Sequence, residues 1–202
     1  GSEIAYQAVT LNFTDGTSYN DLTGKVLSRG DGILSDVAVT ADTSSSTTDL
    51  TATSASTGTF AVEVDNGASV NLLADMTHVN SSPTKAITPQ DALEALRLSV
   101  GLTTIGGTKT AYDYMAADFN QNGKVTPQDA LDILKYSLGL RDLDTDWKFI
   151  DSAGDYSGIT KSSVSYTEGV SVAAMTADLD IAMMGILLGD VNDTYTGYLD
   201  IA

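Results

Sequence analysis

The sequence predicts a mixed α+β fold, with an N-terminal β-sandwich, a pair of loop–helix units and a C-terminal β segment that returns to the sandwich. Residues 1–78 contain short runs in which apolar and polar residues alternate, separated by loops rich in Ser, Thr, Gly and Asp. A segment with apolar residues at helical spacing occurs twice, at 87–102 and 125–140. We therefore divide the chain into a β-sandwich module at 1–78, paired loop–helix units at 79–142 and a β segment at 143–202 that ends in a linker.

The N-terminal module is predicted to contain several short strands. They lie around 9–13, 24–27, 37–40, 59–64 and 69–74. In the strand at 59–64, Phe60, Val62 and Val64 fall on one face, because successive side chains of a strand point to opposite sides. Residues 29–31 read Arg-Gly-Asp, which could be an integrin motif, but a turn between two strands is the preferred interpretation.

Residues 118–129 have the pattern of a calcium-binding loop, with Asp in place of the usual final Glu. Gly123 stands where the loop needs a sharp turn. The predicted ligands all offer oxygen atoms: the side chains of Asp118, Asn120, Asn122 and Asp129 and the backbone carbonyl of Lys124. Oxygen ligands without nitrogen or sulfur favour Ca²⁺ over zinc or copper. The alternative is a polar turn that caps a helix without metal.

A helix is predicted to follow this loop directly. Thr126 stands at the N-cap, Pro127 at the first helical position and Asp129 three residues after the cap. Gly139 is the expected C-terminal stop. Because 87–102 repeats the same pattern, and one loop–helix unit cannot bury its apolar face alone, the two copies are expected to face each other.

The loop of the first copy is much poorer in ligands. Counting back from Asp91, its ligand positions fall on Asn80, Ser82 and Thr84, and Lys85 stands where Gly belongs. This loop either holds no ion or holds a weaker one with neutral oxygens, water and a foreign ligand.

The C-terminal segment contains one aromatic pair, one apolar run and one acidic turn. Trp147 is expected to pack with Phe149 against the paired helices, the rival interpretation being a ring that faces a ligand. The run at 179–188 is long enough for one buried strand, which is expected to pair with the N-terminal sheet. Asp190 and Asn192 open like another calcium loop that lacks the Gly at its sixth position; they either bind an ion at a junction with a following domain or belong to a polar linker.

Composition restricts the possible functions. The net charge of −17 disfavours binding to nucleic acid or to anionic membrane surfaces, because phosphate contacts need Lys and Arg. No cysteine is present, and the longest apolar run is too short to span a bilayer. With one histidine, His78, and no glycine-rich phosphate loop, the sequence does not predict an enzyme.

The tandem unit resembles the dockerin type I repeat. The similarity rests on the second copy, D-x-N-x-N-G-x-V-T-x-x-D-A-L-x-I-L-K, at residues 118–135. Dockerins are calcium-dependent protein-binding modules of extracellular assemblies, so this resemblance implies a binding role rather than catalysis.

The order of the segments resembles a second family. A β-module, two T-P-Q-D-A-L units, W-K-F-I-D and a terminal G-I-L-L-G-D-V-N are similar in order to the peptide-binding domain of giant RTX adhesins of marine Gammaproteobacteria. This resemblance implies an extracellular, monomeric domain on a bacterial surface, flanked by neighbouring adhesin domains. It would capture peptides or the exposed C-termini of proteins on another cell, in a calcium-dependent manner.

A C-terminal carboxylate needs a positive group in a chain this acidic. Our hypothesis is a calcium ion with an open coordination position at the ligand-poor first loop, near Asn80, Ser82, Thr84 and Asp91. The alternatives are Arg97, Arg141 and Lys135. Three rival functions stay open: a carbohydrate-binding module with Trp147 or a tyrosine as its stacking platform, an extender domain without a ligand, and a dockerin-like module that binds a folded partner through its helices.

Overall fold

A computed structural model describes residues 18–78, 85–140 and 145–195. The first and third ranges contain strands, and the middle range contains helices. The strands are β1 Tyr19–Ser28, β2 Ala38–Thr43, β3 Leu50–Thr53, β4 Thr59–Asp65, β5 Val70–Asp75, β6 Thr77–His78, β7 Thr145–Asp151, β8 Val170–Val172 and β9 Leu179–Leu187. The helices are α1 Pro89–Ser99, α2 Ala111–Ala117 and α3 Pro127–Ser137. The predicted α+β class is confirmed.

The strands form two sheets, each of which combines both ends of the described chain. The five-stranded sheet has the order β4-β1-β9-β7-β6, and the four-stranded sheet has the order β3-β2-β5-β8. β9 lies parallel to β1, with Leu22 opposite Leu179 and Ser28 opposite Gly185. The expectation that the run at 179–188 returns to the N-terminal sheet is therefore confirmed.

Alternation along the strands produces one core. In β4, Phe60, Val62 and Val64 are buried while the residues between them are exposed, as the period of two predicts. One cluster of buried side chains includes Val26 from the larger sheet and Leu72 from the smaller one. The core thus joins residues of both sheets.

The predicted strands at 24–27, 37–40, 59–64 and 69–74 overlap β1, β2, β4 and β5. The strand expected at 9–13 lies outside the described residues. The pattern did not predict β3 or β7. In β7, Trp147, Lys148, Phe149 and Ile150 are all buried, so burial does not alternate along this strand and even Lys148 lies inside.

The two repeated helices form where the sequence places them. Thr88 and Thr126 are their N-caps, and both helices have a capping box with Asp at the third position. Gly139 follows α3 with a φ of 71°, the left-handed conformation that glycine adopts without strain. The two helices pack against each other, as expected for a repeated unit.

The sequence does not predict the third helix, which precedes the predicted calcium loop. α2 is only seven residues long, which is too short for a clear hydrophobic period, and it begins with a capping box between Thr110 and Asp113. Its C-cap is Asp118, the first residue of the predicted loop. The loop therefore has a short entering helix.

Candidate calcium site

The loop at 118–129 is closed around the carboxylates at its two ends. Asp118 Oδ1 accepts a hydrogen bond from the Asn122 N–H at 3.1 Å, and Oδ2 accepts one from the Gly123 N–H at 2.9 Å. Asp129 Oδ1 accepts a hydrogen bond from the Asn120 N–H at 3.1 Å. These contacts wrap the polypeptide around Asp118 and bring the last predicted ligand beside the first ones.

Asp129 also determines where α3 begins. Its Oδ2 accepts hydrogen bonds from the N–H and the hydroxyl of Thr126, at 2.9 and 2.8 Å. One carboxylate thus completes the helix cap with one oxygen and holds the loop with the other. Because Asp129 is fully buried, these contacts are shielded from water.

The backbone of the loop has the turn that its sequence predicts. Gln121 and Gly123 have φ values of 55° and 82°. Val125 donates its N–H to the carbonyl of Lys161 at 2.8 Å, and Val164 donates its N–H to the carbonyl of Gly123 at 2.8 Å. The segment at 161–164 therefore holds the second half of the loop in place.

The electrostatics of the loop favour a cation. Burial raises the pKa of Asp118, and the nearby charge of Asp129 raises it further, against the backbone N–H groups that lower it. Neither carboxylate forms a salt bridge with a described residue. A calcium ion would compensate both charges.

The composition of the loop fits calcium rather than a transition metal. The loop supplies two carboxylates together with amide and backbone oxygens, which are hard ligands of the kind that Ca²⁺ accepts. Within the described ranges, no group of three or more His, Cys, Asp or Glu side chains could hold a metal ion, so the two carboxylates would need these neutral oxygens as further ligands. Asp118, Asn120, Asn122 and Asp129, with the carbonyl of Lys124, are the residues that would hold the ion.

Asp91 has a different neighbour from the one that its sequence position suggests. Its Oδ1 accepts a hydrogen bond from the backbone N–H of Asn192 at 3.1 Å, and its Oδ2 caps α1 through Thr88. Asn80, Ser82 and Thr84, the predicted partners of Asp91, lie outside the described residues. From the sequence, Asp91 and the turn at Asp190 are predicted to belong to separate sites. The structure brings them together.

The turn after β9 is ordered by Asp190. Asp190 Oδ1 accepts the N–H of Thr194 and Oδ2 accepts the N–H of Tyr195, both at 2.9 Å. Burial raises the pKa of Asp190 to about 6, to which the charge of Asp91 contributes, while Arg29 opposes the shift. The missing glycine at the sixth position does not prevent the turn, because a backbone N–H at Tyr195 makes the contact that the loop requires.

The sequence does not predict Arg29 as a site residue, but its side chain holds this turn in place. Its Nη2 donates to the carbonyls of Asp190 and Val191, both at 2.8 Å, and its Nε lies 3.1 Å from Asp193 Oδ1. Its Nη1 lies 3.3 Å from Asp113, and its side chain is only 7% exposed. The expected turn at 29–31 is present, and this burial leaves Arg29 unable to serve an integrin motif. Burial could not be read from the tripeptide itself.

A cleft of ≈470 Å³ opens beside this turn. Its walls come from the start of α1, the loop at 104–110 and the turn at 191–194, and they include Glu94, Asp113 and Asp193. Arg29 also lines the cleft, but its guanidinium is engaged by the contacts described above. Three carboxylates therefore line the cleft against one guanidinium, which is paired with two of them, Asp113 and Asp193.

The other predicted binding residues are placed less favourably. Trp147 is 3% exposed, and its ring stacks on Phe149 and contacts the ring of Tyr195, so it packs in the core and cannot be a platform for a ligand. Arg97 donates to the carbonyl of Thr103 at 2.8 Å. Lys135 is half-buried on α3, and Arg141 lies outside the described residues.

Comparison with protein-family models, with curated proteins and with solved structures found no match. Of the helices in the described ranges, none has both the length and the apolar character needed to cross a bilayer.

Proposed function

We propose that this chain is a calcium-dependent adhesive domain of a bacterial surface adhesin, which captures short peptides or the exposed C-termini of proteins on another cell. The observation that carries the proposal is the cleft beside the turn at 191–194, with Glu94, Asp113 and Asp193 in its walls. A peptide carboxylate entering such a cleft is repelled unless a bound cation intervenes. Binding would therefore depend on calcium.

The finer architecture belongs to the same proposal. We interpret the two sheets as the layers of a β-sandwich, since one buried cluster contains residues of both. We interpret α1 and α3, with the loops that precede them, as dockerin-like units, since both begin with Thr-Pro-Gln-Asp and the same capping box. The domain would act outside the cell as a monomer, next to neighbouring adhesin domains, and without catalysis.

A displayed library of short peptides with free C-termini tests this function. Binding is measured in calcium and in EDTA, with amidated copies of the enriched peptides as matched controls. We expect enrichment that needs calcium and that amidation abolishes. Enrichment that survives amidation would contradict carboxylate recognition. If a correctly folded domain enriches no peptide, the peptide-binding proposal fails, and a glycan array then separates a carbohydrate-binding module from an extender domain.

A second candidate is a folded protein partner that binds the paired helices. Leu93 and Leu96 of α1 and Leu131 of α3 are 48%, 42% and 43% exposed. With Leu134 they line one groove of ≈350 Å³ between the helices, at equivalent positions of the repeat. Apolar faces of this kind mark protein-binding sites. Under this hypothesis, Leu93→Glu and Leu131→Glu together abolish capture of a folded partner domain but leave peptide capture in the cleft unchanged.

A further inference from the structure

We propose that Asp190, Asn192 and Thr194 form a second calcium site together with Ala86 and Asp91, so that one calcium loop is assembled from two distant segments of the chain. The first half would come from the turn after β9, and the second half from the residues that lead into α1. The intact loop at 118–129 provides an internal reference for this arrangement. The inference does not depend on the proposed adhesive function.

The first ligand position matches in both of its hydrogen bonds. Asp118 accepts the N–H groups of the residues four and five positions later, at 3.1 and 2.9 Å. Asp190 accepts the N–H groups of Thr194 and Tyr195, again four and five positions later, both at 2.9 Å. Each Asp uses Oδ1 for the nearer residue and Oδ2 for the farther one. The turn after β9 thus has the geometry of the first half of a calcium loop.

The last ligand position also matches, although it comes from a different segment of the chain than the first. In the intact loop, the Asn120 N–H donates to Asp129 Oδ1 at 3.1 Å. In the split arrangement, the Asn192 N–H donates to Asp91 Oδ1 at the same distance of 3.1 Å. Asp91 Oδ2 is held by the N–H of its N-cap threonine, as Asp129 Oδ2 is, at 2.9 Å in both cases. The hydrogen bond from Asn192 to Asp91 therefore corresponds to the hydrogen bond from Asn120 to Asp129.

The positions between these ends also correspond. The residue at the fourth position has a positive φ in both cases, 55° at Gln121 and 58° at Asp193. Ala86 precedes the N-cap Thr88 by two residues, as Lys124 precedes Thr126, so Ala86 occupies the position whose backbone carbonyl binds calcium. The Thr194 hydroxyl lies 3.2 Å from that carbonyl. The fifth and seventh ligand positions are thereby brought together from residues that are 108 positions apart in the sequence.

One buried oxygen atom independently supports a cation at this place. Asn192 Oδ1 is buried and has no hydrogen-bond partner among the described residues. The equivalent atom of the intact loop, Asn120 Oδ1, accepts the N–H of Asn122 at 3.1 Å. A buried amide oxygen without a partner is unfavourable, and it stands here at the third ligand position of a calcium loop. A calcium ion would supply its partner.

The charges at this place also need a cation. Asp190 and Asp91 are 2% and 0% exposed. The guanidinium of Arg29 points to the carbonyls of Asp190 and Val191 and to the side chains of Asp113 and Asp193. No described residue forms a salt bridge with either buried carboxylate. An ion bound here would neutralise both carboxylates and fasten α1 to the end of β9.

The number of bound calcium ions tests this site. Equilibrium dialysis of the whole chain with radioactive calcium is expected to give two ions for the unmodified protein. We expect one ion for Asp190→Asn, one for Asn192→Leu and one for Asp118→Asn, which removes the reference site. The double variant Asp190→Asn with Asp118→Asn should bind none. The triple variant Asn80→Ala, Ser82→Ala, Thr84→Ala should still bind two, because the split loop replaces that segment.

Terbium luminescence tests whether the second ion lies at the split site. It can also be measured on variants that are less stable than the wild type. Tyr195, whose N–H is bonded to Asp190, has its ring 5.0 Å from that of Trp147. Terbium at the split site is therefore expected to emit on excitation at the red edge of tryptophan absorption. Asp190→Asn should abolish this emission, and Asp118→Asn should retain it, with folding checked by circular dichroism. The proposal is overturned if folded Asp190→Asn and Asn192→Leu proteins still bind two ions, or if the triple variant loses one.

Discussion

The backbone N–H of Asn192 donates to the carboxylate of Asp91 at 3.1 Å, although the two residues are 101 positions apart in the sequence. The contact is possible because β9 runs parallel to β1 and delivers the end of the described chain to the start of α1. Asp91 in turn caps α1 through Thr88. Helix initiation, the turn after β9 and the pairing of β9 with β1 are thereby linked through one buried carboxylate.

Asp118→Ala is expected to lower the melting temperature in calcium toward the value in EDTA. The substitution removes a predicted calcium ligand and the acceptor for two backbone N–H groups. Calcium at a hundred times its dissociation constant stabilises the folded state by about 2.7 kcal/mol. For a chain of this size, that corresponds to roughly 5–10 °C. Thermal melts followed by circular dichroism measure the change. The exposed Asp49→Ala is the control; an equal loss in that variant would show a nonspecific effect of charge.

Asp190→Asn is expected to cost more stability in calcium than in EDTA. An Asn side chain has one acceptor oxygen, so the N–H of either Thr194 or Tyr195 loses its partner, and the variant should be less stable than the wild type in EDTA by about 1–3 kcal/mol. In calcium the difference should be larger, because the variant also loses one bound ion. Denaturant unfolding in both buffers measures the free energy of unfolding. An equal difference in calcium and in EDTA would contradict the ligand role of Asp190.

Local patterns predicted the local parts of this molecule. The loop at 118–129 and the two capped helices were predictable because each depends on residues close together in the sequence. The split arrangement was not, because neither Asp190 nor Asp91 shows from its own neighbours that the two will meet. The pairing follows from the parallel register of β1 and β9, which is a property of the whole fold. β7 was missed for a related reason, since both of its faces are buried.

Arg29→Met is expected to destabilise the fold and weaken the turn after β9. The substitution leaves the carbonyls of Asp190 and Val191 without their donor and leaves Asp113 without its cation. Removing one partner of a buried ion pair costs roughly 3–5 kcal/mol. Arg29→Lys should recover only part of this loss, because an ammonium group cannot match the fork of a guanidinium. Denaturant unfolding in calcium measures both variants.

The exposed Lys25→Met is the control for Arg29→Met, because it removes a positive charge from β1, the strand that Arg29 directly follows. Its free energy of unfolding should lie within about 0.5 kcal/mol of the wild type. A similar loss in both variants would show that net charge, rather than the contacts of Arg29, determines the effect.

Trp147→Ala is expected to destabilise the protein without acting on a ligand directly. The indole is 3% exposed and packs against the rings of Phe149 and Tyr195, so its removal leaves a cavity in the core. Such truncations cost about 3–5 kcal/mol. Trp147→Phe keeps most of the packing and should cost less. Because the ring faces the core, Trp147→Phe should retain the affinity of the wild type for any peptide or glycan, measured by titration of folded protein. A stable Trp147→Phe protein that has lost its ligand would show instead that the indole contacts that ligand.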